Sequence, residues 1–581
     1  MIMKQVVSLL VLLGMFTFAC NTSGILSPAA TEVQTAAVLM TQPPAATVHP
    51  PAVPTTQPAE HRIGVRVVDG VGEFYDRQTG ETFIPRGNNF ARLDWQAKRT
   101  GGQTYTFSTF NPGFYNHDEA SQALAQMSAL GYNVVRVFLD GNAIDGNGGP
   151  NGLSPKFMDN VADFLWLAKD NGIYVIFVKQ WLPDSPRYSD IIARDCCETF
   201  GVSNAIHLAP AGVEAHRLFF QDLVRALIER GAPLDAIFSY NVSNEIYFDG
   251  DQPPLNWDSG VVLLGNGKSY DMSKPEDKQR MMDDGLVIII DAVREAVLEL
   301  DPTALVSVGF FQPQAPNPTR IGDARLIRTY AAIWESSADY IDLHTYPGGD
   351  LMLAQYVENY EMNDMQLKPI MIGEFGAFRF AFPDIEVAAQ ALVDWQVESC
   401  RYGFDGWLLW TWDDIGDSEM YTAVEADGVI NQALAPANRP DPCAYGAGVV
   451  RNLALGARVR ASGALPGEPP EQAVDGLSGT QWGAGASPPQ WIEIELEAPA
   501  RVSEIRLQVA QYPEGDTLHI IKARSADGNF VEVARISQFT RSEEWLMLKP
   551  AAPLDGVQVI RVETYTSPSW TAWKEIQIYG E

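Results

Sequence analysis

The stretch DAIFSYNVSNEIYF, residues 235–248, runs through apolar residues and ends on an Asn-Glu pair, Asn244 and Glu245. A core strand that ends on a carboxylate is unusual unless its C-terminal end opens onto a site. Seven further apolar runs share the pattern: FIPRGNNF (83–90), NVVRVFLD (133–140), YVIFVKQW (174–181), LVSVGFF (305–311), YIDLHTYP (340–347), PIMIGEFG (369–376) and GWLLWTWDD (406–414). Amphipathic helical stretches lie between them, among them 118–131, 154–172, 214–231 and 385–403. Continuous apolar strands alternating with helices imply a parallel sheet, and eight such units over about 350 residues predict a closed (β/α)8 barrel of the TIM type. In that architecture functional groups stand at the C-terminal ends of the strands, which explains why residues 235–248 end as they do.

Upstream of the barrel, residues 65–90 read as a hairpin turning at DRQTGE (76–81) before the first barrel strand. Past Pro440 helical patterns cease. β-rich pieces follow at short intervals: 490–497, 502–510, 517–525, 530–537, 544–550, 557–565 and 575–580. They predict an all-β sandwich, so the fold class is α/β barrel followed by β-sandwich. The expected division is 1–20 leader, 21–60 linker, 61–440 barrel and 450–581 sandwich.

Composition limits what such a chain can do. At 581 residues, 46% hydrophobic, it is long enough for two or more cores. A formal net charge of −32 repels phosphate backbones and argues against nucleic acid as a partner. The first twenty residues, MIMKQVVSLLVLLGMFTFAC, have one Lys and then an apolar run too short to span a bilayer, which reads as an export signal. Ala19 before Cys20 resembles a bacterial lipobox, although Thr17 stands where that motif usually has Leu. Lipidation of Cys20 would make a cell-surface lipoprotein held to the membrane only by its anchor, and plain cleavage would give a fully secreted protein. Residues 21–60, rich in Pro, Ala and Thr, read as an extended tether. Of the other cysteines, Cys196, Cys197, Cys400 and Cys443, the adjacent two are expected to reach elsewhere, and the pairing stays open. No Cys/His spacing supports zinc.

Several strand ends carry groups suited to sugar chemistry: Arg136, Trp181, Asn244 with Glu245, His344 with Tyr346, Glu374, and Trp410 with Trp412. A single acidic residue at a strand end is more often a cap. Two carboxylates facing each other across a barrel mouth are what glycoside hydrolysis needs. On the NE after strand four and the GEFG of strand seven, residues 62–435 resemble the retaining glycoside hydrolases of clan A, closest in layout to the cellulase-like family 5. That resemblance implies Glu245 as general acid/base, Glu374 as nucleophile and Asn244 as donor to the 2-hydroxyl. It implies Arg136 and Tyr346 as the groups that keep the nucleophile ionised, His344 as the strand-six histidine, and Trp410 as a platform under the sugar. Trp181 and Asn89 are further candidate substrate contacts; for Asn88 and Asn89 a turn role competes. Asp413 and Asp414 read as a cap. Two departures bear on the substrate: Ile246 replaces the usual Pro, and Lys179-Gln180 stand where many members carry His.

NLALGARVRAS, AVDGLSGTQW, PQWIEIELEAPARVSEIRL and SPSWTAWKEIQIYG, spread over 450–581, resemble the discoidin or factor 5/8 type C domain, a jelly roll that often serves as a family 32 carbohydrate-binding module. Trp482, Trp491, Trp570 and Trp573 are expected in its core, with Tyr512, Phe539 and Trp545 on exposed loops. The resemblance also implies a structural calcium near the DG turn, with Asp475 as a ligand; no cofactor is expected for catalysis. The expected function is a secreted, surface-tethered retaining glycosidase cutting β-glycosidic bonds in an extracellular polysaccharide, of β-glucan or β-mannan type, with a glycan ligand for the sandwich. The alternative is an inactive glycan-binding surface protein, and a transglycosidase is a variant of the first.

Overall fold

In the computed structural model, residues 60–581 are described apart from 98–102, 140–151, 184, 312–324, 350, 363–365, 414–418, 445–449 and 478. The expected leader, Cys20, the tether through Ala59, and Asp414 lie outside the described residues. Among the described residues no helix is long and apolar enough to cross a membrane.

The eight expected strands form one closed parallel barrel: β1 (Arg86–Asn89), β2 (Val134–Leu139), β3 (Tyr174–Lys179), β4 (Ile237–Asn241), β5 (Leu305–Phe310), β6 (Tyr340–His344), β7 (Ile370–Phe375) and β8 (Trp407–Leu409). Each pairs with its neighbours in sequence, and β8 closes onto β1 through Trp407–Arg86 and Leu409–Asn88. Side chains alternate as a strand requires. Val134 and Phe138 of β2, Ile176 and Val178 of β3, and Tyr340 of β6 fill the interior, whereas Val135, Val137, Val175 and Phe177 pack outward against the helices.

The barrel floor is plugged by the N-terminal hairpin, Ile63–Val68 with Val71–Asp76, whose Phe74 lies 5.3 Å from Phe238 and 5.2 Å from Tyr340, ring to ring. Its turn is Asp69-Gly70, both at positive φ, not DRQTGE. A two-residue Asp-Gly turn matches strand twist without extra residues. Residues 76–81 make a second turn that returns Phe83 to hydrogen-bond Phe74.

The long connection after β4 is structured. It holds a small hairpin, Val261–Leu263 with Ser269–Asp271, and Phe248–Asp249 pairs with Arg325–Leu326. Below the barrel, Arg86 donates to the carbonyls of Arg439 and Leu434, which fixes the exit of the chain. A disulfide joins Cys400 to Cys443. Cys196 and Cys197 are bonded to each other, contrary to the expectation that they reach elsewhere.

The C-terminal region is all antiparallel β. Its long strand Gln490–Val509 pairs with Leu554–Thr566 along its first half and with Ala572–Gly580 along its second, passing from one layer to the other through a register break after Glu495. Trp482 and Trp573 are buried in this core. Trp570 is not: it is 53% exposed, and Tyr512 at 90% and Phe539 at 48% are exposed as expected. Trp545 is half-buried.

Candidate active site

Alternation along β6 puts Tyr340, Asp342 and His344 on the inner face, one above another from floor to mouth. Each finds partners on neighbouring strands. Tyr340 shares a 2.7 Å hydrogen bond with Ser239. Asp342 accepts from Arg136 Nε and from Asn241 Nδ2, both at 3.1 Å. His344 Nδ1 lies 2.8 Å from Glu245 Oε1 and 3.5 Å from Glu374 Oε2. A Cβ at Gly373 would collide with the Asp342 carboxylate, so this level of the barrel requires glycine on β7.

Arg136 is the hub and is fully buried. Its Nη1 donates to Glu374 Oε1 at 2.6 Å and to Asn89 Oδ1 at 3.0 Å, and its Nη2 to Asn244 Oδ1 at 2.7 Å. The other Glu374 oxygen accepts from Tyr346 at 2.8 Å. Glu374 is thus held at both oxygens, whereas Glu245, one-third exposed at its side chain, is held at one. An oxygen of Glu245, Nδ1 of His344 and an oxygen of Glu374 all lie within 4.8 Å of one another. Among the described residues this is the one cluster of three donors with metal-binding spacing, and its donors already serve each other, Arg136 and Tyr346.

Charge balance defines the state of the network. Burial opposes the His344 cation, but the Glu374, Asp342 and Glu245 carboxylates outweigh it and raise the imidazole to about 10. Burial pushes the Tyr346 hydroxyl far up, and the Glu374 charge adds to this, so it remains a donor. Two cations, Arg136 and His344, then face three carboxyls, and the cluster is neutral when one carboxyl keeps a proton. Burial and the nearby Glu245 raise Glu374 despite His344 and Arg136. Burial also pushes Glu245 up, but the hydrogen bond and charge of His344 take it net downward.

The other expected residues fall around this core. Trp181 is 52% exposed just beyond β3. Trp410 is half-buried beyond β8, edge-on to Phe138 at 5.7 Å and to Phe107 at 6.3 Å. Asn89 is corrected: it is fully buried, donates to the carbonyls of Gly373 and Leu409, and positions Arg136 instead of meeting substrate. Asp413 is a salt-bridge partner of Arg92 at 2.6 Å, not a cap. Asp342 and Asn241 were missed; the available signal was the two-residue step from Asp342 to His344, which places both on one face. Lys179 points outward into the barrel wall, where its ammonium nitrogen lies 2.9 Å from His216 Nε2.

The sandwich has two polar features of its own. Asp475 accepts from Thr480 Oγ1 and the Leu477 amide, and burial raises it to about 6. Burial and the Asp475 charge raise Glu575 well above its usual range; Glu575 accepts from Gly476, and its Oε1 is buried without a hydrogen-bond partner. A shallow recess lies between the 510–511 and 567–573 segments. His519 Nε2, Thr571 Oγ1 and Trp573 Nε1, all buried and lacking partners, belong to residues that line it, and Trp570 stands at its edge. Burial lowers His519 to about 4, so it is neutral near pH 7.

A parallel eight-stranded barrel with two opposed, differently held carboxyls at its C-terminal mouth defines a carbohydrate-cleaving class of enzyme. The family model for cellulase, glycosyl hydrolase family 5, matches residues 94–416, more than half of the chain. The protein therefore belongs to glycosyl hydrolase family 5 and is a glycoside hydrolase. Residues 458–576 match the F5/8 type C domain. Similar solved structures include the exo-beta-1,4-mannosidase Op5Man5 from Opitutaceae bacterium strain TAV5, at 17% identity, 62% of this chain and 56% of that one, TM-score 0.38. The family 32 module of NanJ from C. perfringens in complex with galactose is 17% identical over 22% of this chain and 99% of that one, TM-score 0.21. Chitosan-binding module 2 of a Paenibacillus sp. IK-5 chitosanase/glucanase, in complex with chitotriose, is 25% identical over 22% and 100%, TM-score 0.20. No curated protein matches.

Proposed function

We propose that the barrel is a retaining glycosidase acting on β-linked polysaccharide of glucan or mannan type. One observation carries this reading: an oxygen of Glu245 and one of Glu374 lie within 4.8 Å. Direct carboxylate attack needs carboxyls about 5 Å apart, whereas inversion needs roughly 6.5–9.5 Å to admit water. Glu374, held at both oxygens by Arg136 and Tyr346, attacks the anomeric carbon. Glu245 protonates the departing glycosidic oxygen, then accepts a proton from the water that cleaves the glycosyl-enzyme. Both Glu374 oxygens accept hydrogen bonds, from Arg136 Nη1 and from the Tyr346 hydroxyl, which favours the ionised nucleophile, and His344 Nδ1 lies within 3.5 Å of both carboxyls. With Asn244 Oδ1 fixed on Arg136, its amide nitrogen is the group left to donate to a sugar hydroxyl.

The sandwich fits a glycan module. Trp570 offers an exposed apolar face at the edge of the recess, which suits the C–H face of a sugar ring. Asp475 and Glu575 fit a structural calcium, because a hard cation would supply the partner that Glu575 Oε1 lacks. With export, a Cys20 lipid anchor or full secretion, and the 21–60 tether, the module would raise the local concentration of polysaccharide around the barrel.

The test is reducing-end release from glucans, mannans, xylans and galactans, with Glu374→Ala in parallel and the anomeric configuration of the first product read by proton NMR. One polymer cut by the wild type alone, with retained configuration, is expected. An inverted product rejects the double displacement; an uncut panel with glycan still bound makes the barrel a binding scaffold. New longer oligosaccharides among the products identify transglycosylation.

A further inference from the structure

An aromatic line leaves the catalytic centre through the segment after β7. Tyr346, which holds Glu374, has its ring 5.4 Å from that of Phe378, and Phe378 stacks on Phe380 at 5.1 Å and 26°. Phe380 ends the line 65% exposed to solvent.

That exposure is built in. Phe380 sits at the tip of a turn closed by the Ala381 amide on the Phe378 carbonyl at 3.0 Å. The adjoining Arg379 amide bonds the Glu419 carbonyl, and its guanidinium is paired with Glu425 at 2.9 and 2.7 Å and lies over the Tyr421 ring. Phe378 bridges to Met420. On the other side, Ala381 and Phe382 pack so closely on Gly348, at φ +77°, that a Cβ there would meet both at 2.8 Å. A turn held this firmly by its neighbours presents its tip ring to water as a fixed surface, stacked on Phe378 and otherwise largely exposed.

We propose that Phe380, supported by Phe378, is the floor of a sugar subsite next to the catalytic centre, taking one pyranose of the bound glycan by its C–H face. The occupant follows from continuity: the aromatic line starts on the residue that orients Glu374, so a chain lying across the carboxyl pair meets it one residue or more away. Aromatic rings give C–H faces apolar contact without fixing hydroxyl pattern, so the subsite recognises chain length more than sugar identity. This rests on the glycosidase reading above.

The experiment measures kcat/KM of the full-length wild type, Phe380→Ala and Phe380→Tyr on β-1,4-linked manno- and gluco-oligosaccharides of two to six units, and on the 4-nitrophenyl β-glycoside of whichever sugar is cut. For Phe380→Ala we expect about a tenfold loss on the longer members, and less than about a twofold change on the aryl glycoside, with Phe380→Tyr restoring the loss. An equal effect at every length, or none at any length, in a protein that cleaves the series overturns the subsite and leaves the glycosidase reading intact. A wild type that cuts neither series nor any polymer of the panel removes the glycosidase reading and the subsite with it.

Discussion

Arg136 and Lys179 are buried on adjacent barrel strands, and they live under opposite rules. Arg136 on β2 points inward and is met by Asp342 and Glu374; Lys179 on β3 points outward and is met by His216, with His207 behind it. Burial works against charge at both. At Arg136 the carboxylates win and the guanidinium stays charged. At Lys179 no carboxylate acts against burial, and the amine falls to about 7. The Lys179 charge adds to burial in holding His207 down to about 3 and His216 well below its usual range. A buried charge persists when its partners are charged and adjoining, and otherwise gives up its proton. The mouth can therefore supply catalytic charge, and the wall supplies a neutral hydrogen bond.

The most damaging way to break this contrast is Arg136→Met. It leaves Asp342 and Glu374 buried without their cation and should cost about 3–5 kcal/mol in a urea titration, whereas a loss under about 1 kcal/mol would show that the network is not held by charge. Next comes Glu245→Gln, which keeps the His344 contact but cannot hold the proton. We expect kcat on a natural glycan to fall on the order of 10²–10⁴-fold, with a far smaller loss on an aryl glycoside whose leaving group needs no acid. Equal losses on both substrates would assign the acid elsewhere.

The wall gives a pH test. An ordinary lysine near 10.5 that drops to about 7 on folding binds its proton more readily when unfolded, so wild-type stability falls as pH drops from about 10.5 to 7 and levels off below. Lys179→Met removes that dependence. Its melting temperature relative to wild type should therefore climb over this interval as pH is lowered, and a flat difference would mean that Lys179 remains charged. His344 runs the other way. Raised from 6.5 to about 10, its contribution is complete below 6.5 and lost as pH rises through 10, a loss that His344→Gln should remove from the alkaline limb of the melting curve.

The smallest effect belongs to the sandwich, where two carboxyls meet with no cation. Asp475, raised from 3.8 to about 6, costs stability as pH rises through that interval. Added Ca²⁺ should raise the melting temperature of the sandwich by a few degrees at pH 7 and by little at pH 5, and Asp475→Asn should abolish the response. A response that survives Asp475→Asn would place the ion elsewhere.

Much of this was legible in the chain. All eight barrel strands and the β-rich tail follow from apolar runs and turn spacing, because burial on both faces of a parallel strand leaves a continuous pattern. Glu245, Glu374, His344 and Tyr346 were visible as polar breaks near strand ends, and Arg136 as a charge inside the apolar run of β2. Other assignments failed for a common reason: direction. Asn89, expected to face substrate, is held inside the barrel by Arg136 and two strand carbonyls; Asp413 meets Arg92 across the fold; Trp570, expected in the core, stands in solvent.

The sequence by itself determined that eight strands would close, which ends would open onto the mouth, and which residue types would be there, since these depend on local pattern and chain order. Only the tertiary structure decided which polar groups meet. Asp342 under Arg136, the two glutamates within 4.8 Å, and the Phe380 turn held by Glu425 and Gly348 all depend on contacts between residues tens to hundreds of positions apart. Partnership across such separations sets both the charge a buried group can keep and the face it turns to solvent.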